Sequence, residues 1–497
     1  MTSQRHLALL LAFSNPVTDV ALLDIIPLII GYRVCEGYLM STQPTVSTST
    51  RPTPTWHIGE TSAPLPPQVA GSPVVGNAMD MGTNPARFLV NMYQQHGPIF
   101  RIQLMDHIVT VLAGLEANQF TTQHDEEVFT NEFAFAALQS ETGPTVTAQP
   151  NAEHRHLRRL LRPAYGRSVA LDQVDQIIGI ADAFVDSLTL GESFDVFPSM
   201  QKLVVNQLGQ IMRGQQVGDY FDDVRLFMKT MLEVYQYHMK PLSTLEEPEY
   251  KRAKARSFEM AANVLAYARE NPPGESRPAN SLDLLMNATD LHDKAFGPEH
   301  LLSESLGPYL AGQDTVASTL CFLLYVIHKQ PELLERLTVE ARTGLANGTF
   351  DANSIRKFEL LHNTIVEVMR LYPVAPIMPR HAAQTFEFAG HKVTQGDEVY
   401  SATTVTHFLP EFFPDPYTFN IDRPRGQAGT FVPYGVGSFA CLGAGMADVQ
   451  LLVTSAVLLR SGRFQLDPID YEMKFSVIPL PNPGQYNLKL LARENGS

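Results

Sequence analysis

Four short stretches of this sequence pair residue types that do chemistry with spacings that could bring them to one place. The first is Tyr434-Gly435-Val436-Gly437-Ser438-Phe439-Ala440-Cys441-Leu442-Gly443, a glycine-rich loop whose one strong metal-binding side chain is the cysteine. Glycines let backbone pass close to a flat ligand and turn N–H groups toward sulfur, and such hydrogen bonds stabilise a thiolate and tune a metal bound to it. A lone cysteine is more often a small buried hydrophobe, so the loop needs support from elsewhere. Ala311-Gly312-Gln313-Asp314-Thr315 interrupts an apolar run from about Pro298 to Ile327 that reads as one long helix. A mid-helix glycine costs roughly 1 kcal/mol relative to alanine, and an acid and a hydroxyl in so apolar a helix need a reason; helix packing is the plainer one. Glu367 and Arg370 share a helix face near a stop at Pro373 and can form a charge-assisted pair, worth little if it lies on the surface. His154 and Arg158 also share a face, as i and i+4 residues do; for Arg155 and Arg162 a solvated basic face is the preferred reading.

Together, in this order and at these separations, the stretches closely resemble the cytochrome P450 family over about residues 64–490. That family's heme loop carries an aromatic residue, Gly, Cys and Gly at the spacing of Tyr434, Gly437, Cys441 and Gly443. The resemblance implies that Cys441 is the axial thiolate ligand of the iron of heme b (iron protoporphyrin IX). It implies that His154 and Arg158 contact heme propionates and that Arg380, after Pro379, is another propionate partner. Thr315 and Asp314 would relay protons for oxygen activation, and Glu367 and Arg370, joined by Arg423, would form a buried structural group. One position departs from the pattern. Two residues before the cysteine the family usually has Arg or His facing a propionate, whereas this chain has Phe439, whose apolar ring cannot replace that ion pair.

The implied activity is that of a heme-thiolate monooxygenase, which inserts one oxygen atom from O2 into an apolar organic substrate. Nothing in the chain resembles a flavin or iron-sulfur domain, so electrons would come from a ferredoxin or flavodoxin-type donor with its reductase. Five arginines between Arg155 and Arg167 form a basic cluster suited to an acidic partner. Family position suggests Phe133, Phe135, the stretch from Phe227 to Met239, Ala311 and Val374 to Met378 as pocket walls. Methionine and aromatic side chains suit a bulky apolar ligand, such as a terpenoid, steroid or fatty acyl chain. Two other readings stand beside this one. A same-fold peroxygenase or isomerase would need no redox partner, which Phe439 keeps open and the Asp314-Thr315 pair opposes; a heme sensor or carrier would bind without turnover.

The elements that must position these residues are mainly helical. Ile99 to Leu104 and His107 to Leu112 read as paired strands with a turn at Met105-Asp106. A helical pattern runs for some 200 residues beyond Glu153, broken at Pro272-Pro273-Gly274 and around Gly297-Pro298. Short strands and turns follow, apart from a helix from Gly443 to about Leu459. The expected fold is one mainly α domain with small β-sheets, spanning residues 64–497. With 44% hydrophobic and 18% charged residues the chain can bury a large core, and its net charge of -15 argues against nucleic-acid binding. Three cysteines are too few for a disulfide framework and suit a reducing, cytoplasmic compartment. Residues 1–63 read as a poorly ordered or peripheral extension. Its apolar runs, Leu7 to Phe13 and Val20 to Ile30, fall short of the roughly 20 consecutive apolar residues of a membrane span. Residues 1–39 are either upstream of a natural start at Met40 or a degenerate anchor or peripheral amphipathic segment with weak membrane association.

Overall fold

The computed structural model describes residues 55–494 except 237–238, 275–276, 347–349, 351–353 and 425. The expectations for residues 1–54, Cys35 among them, lie outside the described residues. Among the described residues the strands are β1 (Trp56–Ile58), β2 (Ile99–Leu104), β3 (His107–Ala113), β4 (Phe129–Thr130), β5 (Ser193–Asp195), β6 (Met378–Ala382), β7 (Phe386–Phe388), β8 (His391–Val393), β9 (Glu398–Ala402), β10 (Gly462–Asp467) and β11 (Asn487–Arg493).

The expected hairpin forms, with β2 antiparallel to β3 from Ile99 opposite Leu112 to Leu104 opposite His107. Met105 takes φ 56 in its turn. The hairpin is one edge of a five-stranded sheet, β2-β3-β9-β6-β4, in which the β3–β9 pair is parallel and the β6–β9 pair antiparallel. This sheet fixes Arg380 in the middle of β6. Two three-stranded sheets, β1-β7-β8 and β10-β11-β5, complete the β structure. Ordered pairing therefore begins ahead of Pro64, because Trp56–Ile58 adds to the strand Phe386–Phe388.

Helices make up most of the remainder, so the fold is mainly α with small sheets. The helix Pro298–His328 runs through the largest core cluster, where Leu306, Tyr309, Val316, Ala317, Leu320 and Phe322 are buried. By length and composition it could cross a membrane, but 78% of its most apolar window is buried inside the fold, which is what a core helix needs. It packs along the helix Val196–Arg213, and Gly312 permits the close approach: a Cβ there would lie 2.7 Å from Leu208 Cδ1. Pro308 lies inside the long helix. Proline has no N–H, so the Glu304 carbonyl loses its usual donor. The buried Arg213 replaces it, donating from Nη2 to Glu304 O, while its Nη1 donates to Ser281 Oγ at 2.8 Å. The last long helix, Ala444–Ser461, begins immediately after the cysteine loop.

Candidate active site

The loop from Tyr434 to Gly443 is folded back by its own backbone. Gly435 and Gly437 both take φ +76, a left-handed conformation that L side chains avoid. The Cys441 N–H then donates to Tyr434 O at 2.8 Å, and the Tyr434 hydroxyl donates to Asp448 Oδ1 at 2.6 Å, pinning the loop to the following helix. Gly443 caps that helix, so its positive end lies beside the cysteine. The Cys441 side chain is accessible although dense protein surrounds it. Burial raises its thiol pKa, while the Gly443 N–H and the Arg158 charge act in the opposite direction.

Two arginines and a histidine approach this loop from different elements. Arg158, on the helix Asn151–Leu161, donates from Nη2 to Ala440 O. His154, one turn earlier, is buried and stacks on Phe439 with ring centroids 4.0 Å apart and planes 21° apart. Burial first, and then the charges of Arg158 and Arg380, push its pKa down to about 4, and its Nδ1 is a buried nitrogen without a hydrogen-bond partner. Arg380 from β6 is buried, with its guanidinium 4.6 Å from the Phe439 ring centroid. Its Nε reaches Asp125 Oδ1 at 3.3 Å, whereas its Nη2 finds a weak acceptor, the Met378 sulfur at 4.0 Å. Sequence reasoning missed Asp125, which sits among acidic residues that read as a solvated face. Phe439 fills space between the sheet arginine and the helix histidine.

On the long helix the expected pair splits. Ala311 and Thr315 lie on its more open face, and the Thr315 hydroxyl donates back to Ala311 O at 3.1 Å. Asp314 instead points into the protein, where it is 4% exposed and its Oδ1 accepts from Gln201 Nε2 at 2.5 Å and Gln313 Nε2 at 3.2 Å. Burial raises its pKa and the two amides partly oppose that. The Oε1 atoms of both glutamines are buried without partners. Gln201 has no sequence signal of its own, since it lies on another helix far away in the chain.

Glu367, Arg370 and Arg423 come together. Glu367 Oε2 accepts from Arg370 Nε at 2.8 Å and Oε1 from Arg423 Nε at 2.9 Å, with Glu367 and Arg370 both buried. Arg370 also donates to His407 O at 2.8 Å and Pro416 O at 2.6 Å. Of the expected pocket walls, Phe227, Met228 and Met231 pack with Tyr250 and Ala253 in a core cluster, whereas Phe133 is 62% exposed. Residues 237–238 of that stretch lie outside the described residues. Arg155 is exposed and paired with Glu126 at 2.8 Å; Arg159, Arg162 and Arg167 are exposed.

These donors suit a flat macrocycle with an acidic edge: an accessible thiol on a glycine-shaped loop, one guanidinium on that loop and another stacked against it, and an orphaned buried imidazole nitrogen. Comparison with known proteins agrees. The family model described as Cytochrome P450 matches residues 65–488. A putative cytochrome P450 120 from Synechocystis is 24% identical over 85% of this chain and 95% of its own length. Cyclooctat-9-en-7-ol 5-monooxygenase from Streptomyces melanosporofaciens is 23% identical over 80% of this chain and 88% of its own. Among solved structures, a retinoic acid-bound cyanobacterial CYP120A1 superposes with a TM-score of 0.74 at 22% identity, covering 87% of this chain and all of that one (100%).

Proposed function

This chain belongs to the cytochrome P450 family, and from that premise we propose that Cys441 holds a heme b at which a bulky apolar substrate is oxygenated. The family makes it a heme-thiolate monooxygenase that works with redox partners on a hydrophobic substrate. The observation that carries the site assignment is the meeting of an accessible thiol, at the start of a helix, with Arg158 and Arg380. Bound there, the heme supplies dioxygen activation, in which two electrons and two protons convert O2 into one inserted oxygen atom and one water.

The protein's part is to hold, exclude and deliver. The helix dipole, the Gly443 N–H and Arg158 stabilise a thiolate at Cys441 against the burial that raises its pKa. Arg158 and Arg380 bind propionate oxygens, and His154 has a free Nδ1 on the same edge. Thr315 presents its hydroxyl on the open face of the long helix and can pass a proton from it. Asp314 recharges that route: burial keeps its carboxyl ready to take up a proton, and the unpaired Gln201 and Gln313 oxygens can accept from the protonated form or from water. Glu367, Arg370 and Arg423 hold the scaffold beneath the loop.

Relatives whose names carry cyclooctat-9-en-7-ol and retinoic acid support a largely hydrocarbon substrate of terpenoid, steroid or fatty acyl type. The exposed Arg159, Arg162 and Arg167 support a ferredoxin or flavodoxin-type electron donor, served by its own reductase. Residues 64–497 are read as the catalytic domain, to which the strand Trp56–Ile58 adds, and the residues ahead of that strand as an extension of it, in a cytoplasmic protein. The test is spectroscopic. The reduced protein under carbon monoxide shows the red-shifted Soret band of thiolate ligation, and Cys441→Ala abolishes it; a thiolate-type band surviving in the variant removes Cys441 from the role.

A further inference from the structure

The edge of the site around Phe439 contains a buried acid that lies in none of the four sequence stretches. Asp125 lies near the end of the helix Leu115–Val128 and is 3% exposed, whereas its neighbour Glu126 turns outward to Arg155. Its two oxygens accept three hydrogen bonds from two elements, β6 and the cysteine loop. Oδ1 accepts from Arg380 Nε of β6 at 3.3 Å, and Oδ2 accepts from Ser438 Oγ at 3.1 Å and from the Phe439 N–H at 3.4 Å. The cysteine loop leaves room for this carboxylate: a side chain at Gly437 would collide with it.

Counting charge sharpens the point. With a basic residue at position 439, that residue, Arg158 and Arg380 would face the two propionates. This chain has Phe439 in place of that cation and packs a buried carboxyl, Asp125, against Arg380, so the edge has one cation fewer than the family pattern and an acid on one of the two that remain. The missing cation also leaves the loop without its own tie to the cofactor. Buried carboxylates persist where several donors converge on them, and three converge here.

We propose that Asp125 is a positioning residue for the heme, which replaces the anchor lost at Phe439 by tying the Cys441 loop to Arg380 and which makes the propionate edge more negative. It rests on Cys441 being the heme ligand. Asp125 occupies Nε of Arg380 and the Pro379 carbonyl accepts from its Nη1 at 3.0 Å, which leaves Nη2, set against the weakly accepting Met378 sulfur at 4.0 Å, to meet a propionate. It also fixes Ser438 and Phe439, the third and second residues before the sulfur. A negative charge at this edge disfavours adding an electron to the cofactor, which a residue that merely fills space would not do.

The experiment compares the parent, Asp125→Asn, Phe439→His and the double variant by the rate of heme transfer to excess apomyoglobin and by midpoint potential in a spectroelectrochemical titration. Asn keeps the volume and removes the charge. Asp125→Asn should lose heme about tenfold faster and move the potential to more positive values, since a charge-assisted bond set is replaced by a mismatched one. Phe439→His in that background should recover most of the retention, because the imidazole supplies the missing propionate partner. Unchanged heme loss in Asp125→Asn, or faster loss with an unchanged potential, overturns the proposal. Should Asp125→Asn fail to fold, Phe439→His alone decides: slower heme loss than the parent supports the account, and faster loss overturns it. A parent without a thiolate-type spectrum would instead refute the assignment of Cys441, a separate result read before any variant is made.

Discussion

The two sides of the candidate site are built on opposite terms. Around Cys441, polar atoms on the loop are taken up: Cys441 N–H by Tyr434, the Tyr434 hydroxyl by Asp448, the Ser438 hydroxyl and the Phe439 N–H by Asp125, Ala440 O by Arg158. Around Asp314, capacity is left over, with Gln201 Oε1 and Gln313 Oε1 buried and unpaired and Thr315 bonded only within its own helix turn. Saturation fixes geometry, which is what holding a cofactor requires. Spare acceptors cost stability but let a proton be received and passed on, which a saturated network resists.

The largest effect expected on this contrast comes from the long helix. Asp314→Asn should slow turnover by about a hundredfold with heme content unchanged, because it removes the ionisable group from the route. Gln201→Leu should keep the acid but raise its pKa, moving the pH dependence of turnover toward alkaline values, since the 2.5 Å bond stabilises the carboxylate. Thr315→Ala should consume reductant while releasing more hydrogen peroxide and less product. Product, peroxide and reductant measured in one vessel decide the matter; full coupling in Thr315→Ala and wild-type rates in Asp314→Asn would show that the spare capacity serves nothing.

A smaller effect tests the holding side. His407 is buried, accepts from Val432 N–H on Nε2 at 3.0 Å and has its pKa pushed by burial from 6.5 to about 3. The unfolded chain takes up a proton below pH 6.5 while the folded one stays neutral, so stability falls from there down to about pH 3. The slope reaches at most about 1.4 kcal/mol per pH unit. Urea midpoints at pH 7 and pH 5 should therefore diverge in the parent more than in His407→Gln. Equal divergence would mean that the histidine is not a fixed neutral acceptor. The smallest effect lies on the outer skin: Arg159→Glu should slow reduction by an acidic ferredoxin several-fold at low salt and flatten the salt dependence, leaving heme retention unchanged. Unchanged reduction rates at low salt would take this cluster out of docking.

Much of the holding side was legible because it is local in sequence. A glycine-spaced cysteine, an i,i+3 Glu367–Arg370 pair and an i,i+4 His154–Arg158 pair are visible as spacings but ambiguous one by one, and it is their order and separation, through the family resemblance, that gave them roles; the hairpin at Met105-Asp106 and the long helix follow from periodicity. What escaped is non-local. Asp125 and Gln201 acquire meaning only through partners brought by folding, Arg380 and Asp314, and nothing adjacent to them differs from a solvated or a core helix face. The expected walls at Phe227, Met228 and Met231 went to the core for a related reason, since apolar residues at helical spacing look the same facing a ligand or a neighbouring helix.

Arg213 and Pro308 carry a consequence for how this sequence can change. Each makes the other tolerable: the proline withdraws a donor from Glu304 O, and the arginine supplies one from a different helix. Losing Arg213 alone strands a buried carbonyl, at a cost of about 1–3 kcal/mol. After Pro308→Ala the helix can furnish its own N–H, and the same loss should cost less. The two positions are therefore non-additive, with a coupling of about 0.5–3 kcal/mol in a double-mutant cycle, and drift at one is tethered to the other across most of a hundred residues of intervening chain.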